Sequence, residues 1–183
     1  MNPEATQHIT LVTGGCRSGK SRYALEQATT GTHPVFIATA QVYDAEMEAR
    51  VARHKLERDP KFVTIEEPYD LAGTLRSLPP GTDVVLVDCL TIWMSNLLCR
   101  PEATDETPAE VDDLLGVLRD PPCDIILVTN EVGMGIVPEN ALARRFRDET
   151  GFLNQSIAAL ADTVVFAVSG IPTIIKPRKG PSL

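Results

Sequence analysis

Nine consecutive residues, Thr13-Gly14-Gly15-Cys16-Arg17-Ser18-Gly19-Lys20-Ser21, combine the residue types that grip a polyphosphate. Gly14 and Gly19 bracket four intervening residues, and Lys20-Ser21 follow at once, which completes the P-loop spacing. Glycines let the backbone turn its N–H groups inward around an anion. A helix starting just behind them adds unpaired N–H groups and the positive end of its dipole. In such a loop Lys20 reaches the β- and γ-phosphates, and the Ser21 hydroxyl binds Mg²⁺. The pattern predicts a nucleoside-triphosphate site.

Two further residues could complete the chemistry. Asp83-Val84-Val85-Leu86-Val87-Asp88 reads as an apolar strand ending in an acid, the Walker B arrangement, in which the Asp88 carboxylate serves Mg²⁺ directly or through water. The same pattern describes an acid capping the next helix. His54 shares a helical stripe with Glu46, Arg50 and Arg58, each four residues from the next. An imidazole between two arginines is biased toward its neutral form, since like charge disfavours the cation. A neutral ring nitrogen is a competent nucleophile toward phosphorus. By spacing alone, a surface histidine among solvated charges is the simpler description.

These residues need elements to carry them. Ile9 to Val12 is a β-branched run ahead of the glycine loop, and Arg22 to Ala28 is a helix-forming run behind it. Val35 to Ala40 reads as a second buried strand, Asp44 to Arg58 as a helix, and Phe62 to Glu66 as a short strand. Helices are expected over Leu71 to Leu78, Thr91 to Leu98, Ala109 to Leu118, Glu139 to Thr150 and Asn154 to Ala161. Further strands are expected over Asp124 to Thr129 and Thr163 to Val168, with Thr173 to Lys176 as an edge strand or short return. Arg100 to Thr107, polar and flanked by prolines, is the expected mobile loop. Asn130 to Pro138 is a glycine-bearing loop at the C-terminal end of a strand, the edge where open α/β sheets bind ligands. Strands alternating with helices predict an α/β P-loop NTPase fold of the RecA-like kind, with a mostly parallel central sheet flanked by helices.

Composition narrows the classes. The 183 residues suit one domain over residues 9–176, with a flexible extension at 1–8 and a flexible, basic tail at 177–183. A net charge of −8 argues against a nucleic-acid partner. No apolar run approaches the roughly 20 residues of a membrane span, and the N-terminus lacks the pattern of a signal peptide. Cys16, Cys89, Cys99 and Cys123 are scattered, which fits reduced thiols in a cytoplasmic protein better than disulfides or a zinc site.

Several stretches together resemble the bifunctional adenosylcobinamide kinase/adenosylcobinamide-phosphate guanylyltransferase family of cobalamin biosynthesis. They are Leu11 to Ser21, Phe36 to Ala40, Asp44 to Lys55, Glu66 to Pro68, Val87 to Leu98, Val128 to Leu153, and Val168 to Lys176. The resemblance implies two reactions. A γ-phosphoryl group passes from ATP or GTP to the primary hydroxyl of the aminopropanol arm of adenosylcobinamide. His54, on which the family's histidine falls, then attacks the α-phosphorus of GTP, releasing pyrophosphate. Adenosylcobinamide phosphate takes the GMP from the resulting guanylyl-histidine, giving adenosylcobinamide-GDP. Nucleotide contacts carry over onto Thr13, Gly14, Gly15, Cys16, Arg17, Ser18, Gly19 and Lys20, with Ser21 completing the loop. Ala38, Thr39, Ala40, Lys55, Leu56, Glu57, Arg58, Glu66 and Asp88 carry over likewise, and the family suggests a homotrimer. Cys16 replaces a small alanine-like residue, Phe62 a frequent tryptophan, and Lys55 to Pro60 is less basic than the common pattern. The alternatives are a single-activity P-loop small-molecule kinase and a GTP-binding switch; no Asn-Lys-x-Asp base-reading motif favours the latter.

Overall fold

The computed structural model describes residues 7–41 and 60–178. Within them seven strands form one sheet: β1 (Ile9–Gly14), β2 (Pro34–Ala38), β3 (Val63–Glu66), β4 (Val84–Asp88), β5 (Asp124–Val128), β6 (Thr163–Val168) and β7 (Ile171–Lys176). The helices are α1 (Lys20–Ala28), α2 (Leu71–Arg76), α3 (Leu90–Cys99), α4 (Ala109–Leu118) and α5 (Ala141–Leu160). Strand order across the sheet is β3-β2-β4-β5-β1-β6-β7. Every pairing is parallel except β6 with β7, an antiparallel return on the edge. β5 therefore lies between the glycine-loop strand β1 and the acid-tipped strand β4. This is the expected α/β architecture.

Alternation along the strands explains the layers. Leu11, Val35, Ile37, Val85, Val87, Ile125 and Leu127 point to one face and pack with Leu71, Leu75, Trp93, Met94, Leu97, Leu114 and Ile157 of α2 to α5. Val12, Phe36, Leu86, Ile126, Val128 and Val165 point to the other and pack with Ala24 and Ala28 of α1. Central parallel strands buried on both faces read as continuous apolar runs, which is why they were legible. Trp93 is wholly buried, and its indole Nε1 donates to the Tyr69 carbonyl at 2.7 Å.

Several elements depart from the sequence reading, among them β7, which starts at Ile171 rather than Thr173, and α2, which ends at Arg76 rather than Leu78. β2 ends at Ala38 rather than Ala40, because Thr39 turns out of the ladder to bond Cys89. The helical stretches expected at 139–150 and continuing at 154–161 run without a break through residues 151–153 as α5, capped by the Asn140 side chain on the Ala143 N–H. Its buried stripe, Thr150, Leu153, Asn154 and Ile157, runs on past Gly151. The expected mobile loop is held at several points. Arg100 pairs with Glu110, Arg145 donates to the carbonyls of Thr104 and Glu106 at 2.5 Å each, and Thr107 reaches Glu149 at 3.1 Å. A polar composition here reflects tethering groups. The expected helix over 44–58 lies outside the described residues.

Candidate active site

The glycine loop joins β1 to α1 by a backbone that only glycine takes readily at two points. Gly14 has φ 154°, and a Cβ there would sit 2.4 Å from the Ala167 carbonyl oxygen. Gly19 has φ 93°, and its Cβ would meet Gly170 Cα at 3.0 Å. Gly19 is also the N-cap of α1, and no side chain caps that helix end. The uncapped N-terminus behind an inward-turned loop is an anion cradle. Gly15, Cys16 and Arg17 form its exposed crest, while Ser18 and Lys20 are buried.

Burial of these two polar groups is informative. Ser18 Oγ is enclosed yet has no hydrogen-bond partner in the structure. Lys20 is 8% exposed, with Nζ donating to the Gly15 carbonyl at 2.9 Å. An orphaned buried hydroxyl is expensive unless a ligand completes it, and a buried ammonium beside it favours an anionic one. The cradle fits a polyphosphate.

Register brings in the acid side. Ala38 pairs with Glu66 on one flank and with Asp88 on the other, so the three lie in one row at the C-terminal edge of the sheet. Asp88 pairs in turn with Val128, and Val128 with Val12, one residue before Thr13. The row thus runs from Glu66 through Asp88 to the start of the glycine loop. Lys20 and Asp88 both act electrostatically on Cys89, which places the two charges around one thiol. Burial, helped by the Asp88 charge, pushes that thiol up to about 11. Among the described residues no cluster of three or more His, Cys, Asp or Glu side chains could hold a metal by itself. Ser21 and Asp88 suit Mg²⁺, which takes few protein ligands and keeps phosphates and water.

Of the remaining expected contacts, Thr39 is buried, and its hydroxyl is engaged with the Cys89 backbone in both directions at 2.8 Å. Ala40 follows it, half-buried. His54, Lys55, Leu56, Glu57 and Arg58 lie outside the described residues. Two groups of supporting residues escaped the sequence reading. Asn96 of α3 donates to the carbonyls of Thr39 at 2.8 Å and Pro68 at 3.1 Å. Thr91, Thr129 and Asn154 form a buried chain, with Thr91 Oγ1 accepting from the Asn130 N–H at 2.7 Å and Thr129 donating to Asn154 at 2.8 Å. Both sets fix the backbone of the sheet edge. A polar residue inside an apolar helix was the available signal.

Residues 10–175 match the CobU family, cobinamide kinase / cobinamide phosphate guanyltransferase. The chain belongs to the CobU family. Among curated CobU-family relatives, it is 46% identical over 169 residues to the bifunctional adenosylcobalamin biosynthesis protein CobP of Pseudomonas aeruginosa, covering 91% of this chain and 96% of that one. It is 44% identical over 180 residues to CobU of Salmonella typhimurium and 40% identical over 178 residues to CobU of Escherichia coli K12; each alignment covers 91% of this chain and 98% of the relative. A solved Pyrococcus horikoshii OT3 protein of Project ID PH0250 is similar in fold, with a TM-score of 0.52 at 8% identity over 94% of this chain and 87% of that one. The expected family is therefore the observed one.

Proposed function

We propose that one triphosphate cradle, built by Thr13 to Ser21 and completed by Ala38, Thr39, Ala40, Glu66 and Asp88, serves both reactions of this protein. Family membership makes the chain a cobinamide kinase and a cobinamide phosphate guanylyltransferase. In the kinase reaction the cobinamide hydroxyl oxygen bonds to the γ-phosphorus of ATP or GTP. The bond from that phosphorus to the β-phosphate bridge breaks, and the nucleoside diphosphate leaves. In the second reaction a ring nitrogen of His54 bonds to the α-phosphorus of GTP and pyrophosphate leaves. An oxygen of cobinamide phosphate then bonds to the same phosphorus, and the P–N bond to His54 breaks.

The observation that carries this reading is the register row Glu66, Ala38, Asp88 abutting a cradle that encloses Lys20 and an unpartnered Ser18 hydroxyl. Lys20 and the α1 N-terminus stabilise charge that develops on the phosphates during transfer. Mg²⁺, held by Ser21 and Asp88, would supply further neutralisation of that charge. Lys55, Leu56, Glu57 and Arg58 follow His54 directly and, by the family pattern, contact the nucleotide beside it.

The protein is further assigned to the cytoplasm as a homotrimer. In support, no helix among the described residues is long and apolar enough to cross a membrane. The edge strand β7 also presents Ile171, Ile174 and Ile175 to the surface, apolar side chains that association would cover.

Exposure to α-³²P-GTP tests the covalent route. Acid-labile, base-stable label is expected on the wild type and absent from His54→Ala, which keeps its kinase reaction. Wild-type protein that turns over cobinamide phosphate with no label would remove the guanylyl-histidine from the account.

A further inference from the structure

The loop after β5 carries a carboxylate that the two-reaction scheme leaves without a task. Val12 and Val128 are register partners, so the residues that follow them run side by side. The Thr129 N–H donates to the Val12 carbonyl at 3.0 Å and the Glu131 N–H to the Gly14 carbonyl at 3.1 Å. Glu131 is thereby stitched to the first turn of the phosphate cradle. Its Oε1 accepts from the Thr13 hydroxyl at 2.7 Å, and the side chain stays half-buried. From the far side, Asn130 is fixed by the Thr91 hydroxyl and by Asn154 Nδ2, which donates to its carbonyl at 3.3 Å.

A negative charge beside a polyanion site opposes nucleotide binding. A glutamine would accept the same Thr13 hydrogen bond without that penalty. The carboxylate is therefore better explained by a reaction that needs a proton acceptor. Of the three displacements proposed above, only phosphorylation of cobinamide uses an alcohol as nucleophile. The imidazole of His54 attacks through a lone pair, and the oxygen of cobinamide phosphate is already anionic.

We infer that Glu131 is the general base of the kinase reaction, oriented by Thr13. Its carboxylate takes the proton of the cobinamide hydroxyl as that oxygen bonds to the γ-phosphorus and the bond to the β-phosphate bridge breaks. The proton leaves on Glu131 and returns to solvent after the nucleoside diphosphate departs. This rests on the kinase reading of the family.

Glu131→Gln isolates the proton because its amide oxygen preserves the contact with Thr13. Phosphorylation of cobinamide should fall about 10²- to 10⁴-fold in kcat, the range for a lost general base. The KM for nucleotide should stay the same or fall, because the substitution removes only a charge that opposes binding. Labelling by α-³²P-GTP, and GMP transfer to supplied cobinamide phosphate, should run at the wild-type rate. An unchanged kinase rate would overturn the proposal. So would a parallel fall in both reactions, which would mark Glu131 as a support of the cradle only. Wild-type protein that never phosphorylates cobinamide would instead remove the underlying kinase reading, a separate failure.

Discussion

The Thr39 hydroxyl donates to the Cys89 carbonyl and accepts the Cys89 N–H, both at 2.8 Å, so one side chain locks the residue that follows Asp88. Both residues are buried, and β2 and β4 are thereby tied together just where the ladder ends at Ala38 and Asp88. Thr39→Val keeps the shape but leaves the buried Cys89 N–H without its partner, while the Cys89 carbonyl keeps the Trp93 N–H at 3.1 Å. Its expected effect is a loss of about 2 kcal/mol, or about 4–8 °C in Tm for a domain of this size. ATP and GTP should also bind more weakly, because Asp88 loses its anchor. A Tm equal to that of the wild type in a calorimetric scan would show that the clasp contributes nothing.

Lys20 tests whether one cradle serves two reactions. Its ammonium is enclosed and held against the Gly15 carbonyl, with the α1 N-terminus behind it. Removing one preorganised donor to a developing oxyanion typically lowers kcat by about 10²- to 10³-fold. Lys20→Ala should therefore depress phosphorylation of cobinamide and GMP labelling together by at least that range. Loss of one reaction alone would require separate phosphate sites.

The parts legible in the sequence were those governed by local rules. Gly14, Gly19, Lys20 and Ser21 announced the loop because φ, close approach and charge restrict those positions to few residue types. The apolar runs Val84 to Val87 and Ile125 to Val128 announced buried parallel strands for the same kind of reason. What lay hidden depended on residues far apart in the chain. Glu131 is 118 residues from its partner Thr13 and Asn96 is 57 from Thr39, so neither contact leaves a local pattern. Arg144 and Arg145 are adjacent in the sequence, which does not tell what each of them holds. In the fold Arg144 holds the Pro138 carbonyl at 3.0 Å and Arg145 the loop before α4. Which acids and bases tether loops, and which meet substrate, is decided by packing.

The four thiols should divide by burial. Cys89 and Cys123 are buried, and desolvation raises both to about 11, so neither offers thiolate at neutral pH. Cys16 and Cys99 are exposed, and Cys16 sits on the crest of the cradle. A thiol reagent applied to the folded protein should label Cys16 and Cys99 rapidly and leave the other two until denaturant is added. Saturating GTP should protect Cys16 and not Cys99, and the alkylated protein should lose both activities. Peptide mapping that finds Cys16 labelled equally fast with and without GTP would place the nucleotide elsewhere.

Glu110 opens α4, where its carboxylate pairs with Arg100 at the end of α3. The hydrogen bond from Arg100 lowers the Glu110 pKa below its ordinary value, against burial, which raises it. A depressed carboxylate stabilises the fold at pH values above its unfolded pKa, and that contribution fades as pH falls through the carboxylate range. The pair is partly exposed, so solvent screening limits its worth to about 1 kcal/mol. Glu110→Gln should therefore unfold at a Tm lower by about 2–4 °C at pH 7. As the pH drops toward about 3 the wild-type and variant curves should converge, because protonation removes the charge that the substitution removed. Asp83, also held below its ordinary range by the backbone N–H groups of Thr32 and His33 despite burial, titrates in the same window in both proteins and cancels in the comparison. Parallel curves with a constant offset at every pH would show that Glu110 acts through packing, not through its charge on Arg100.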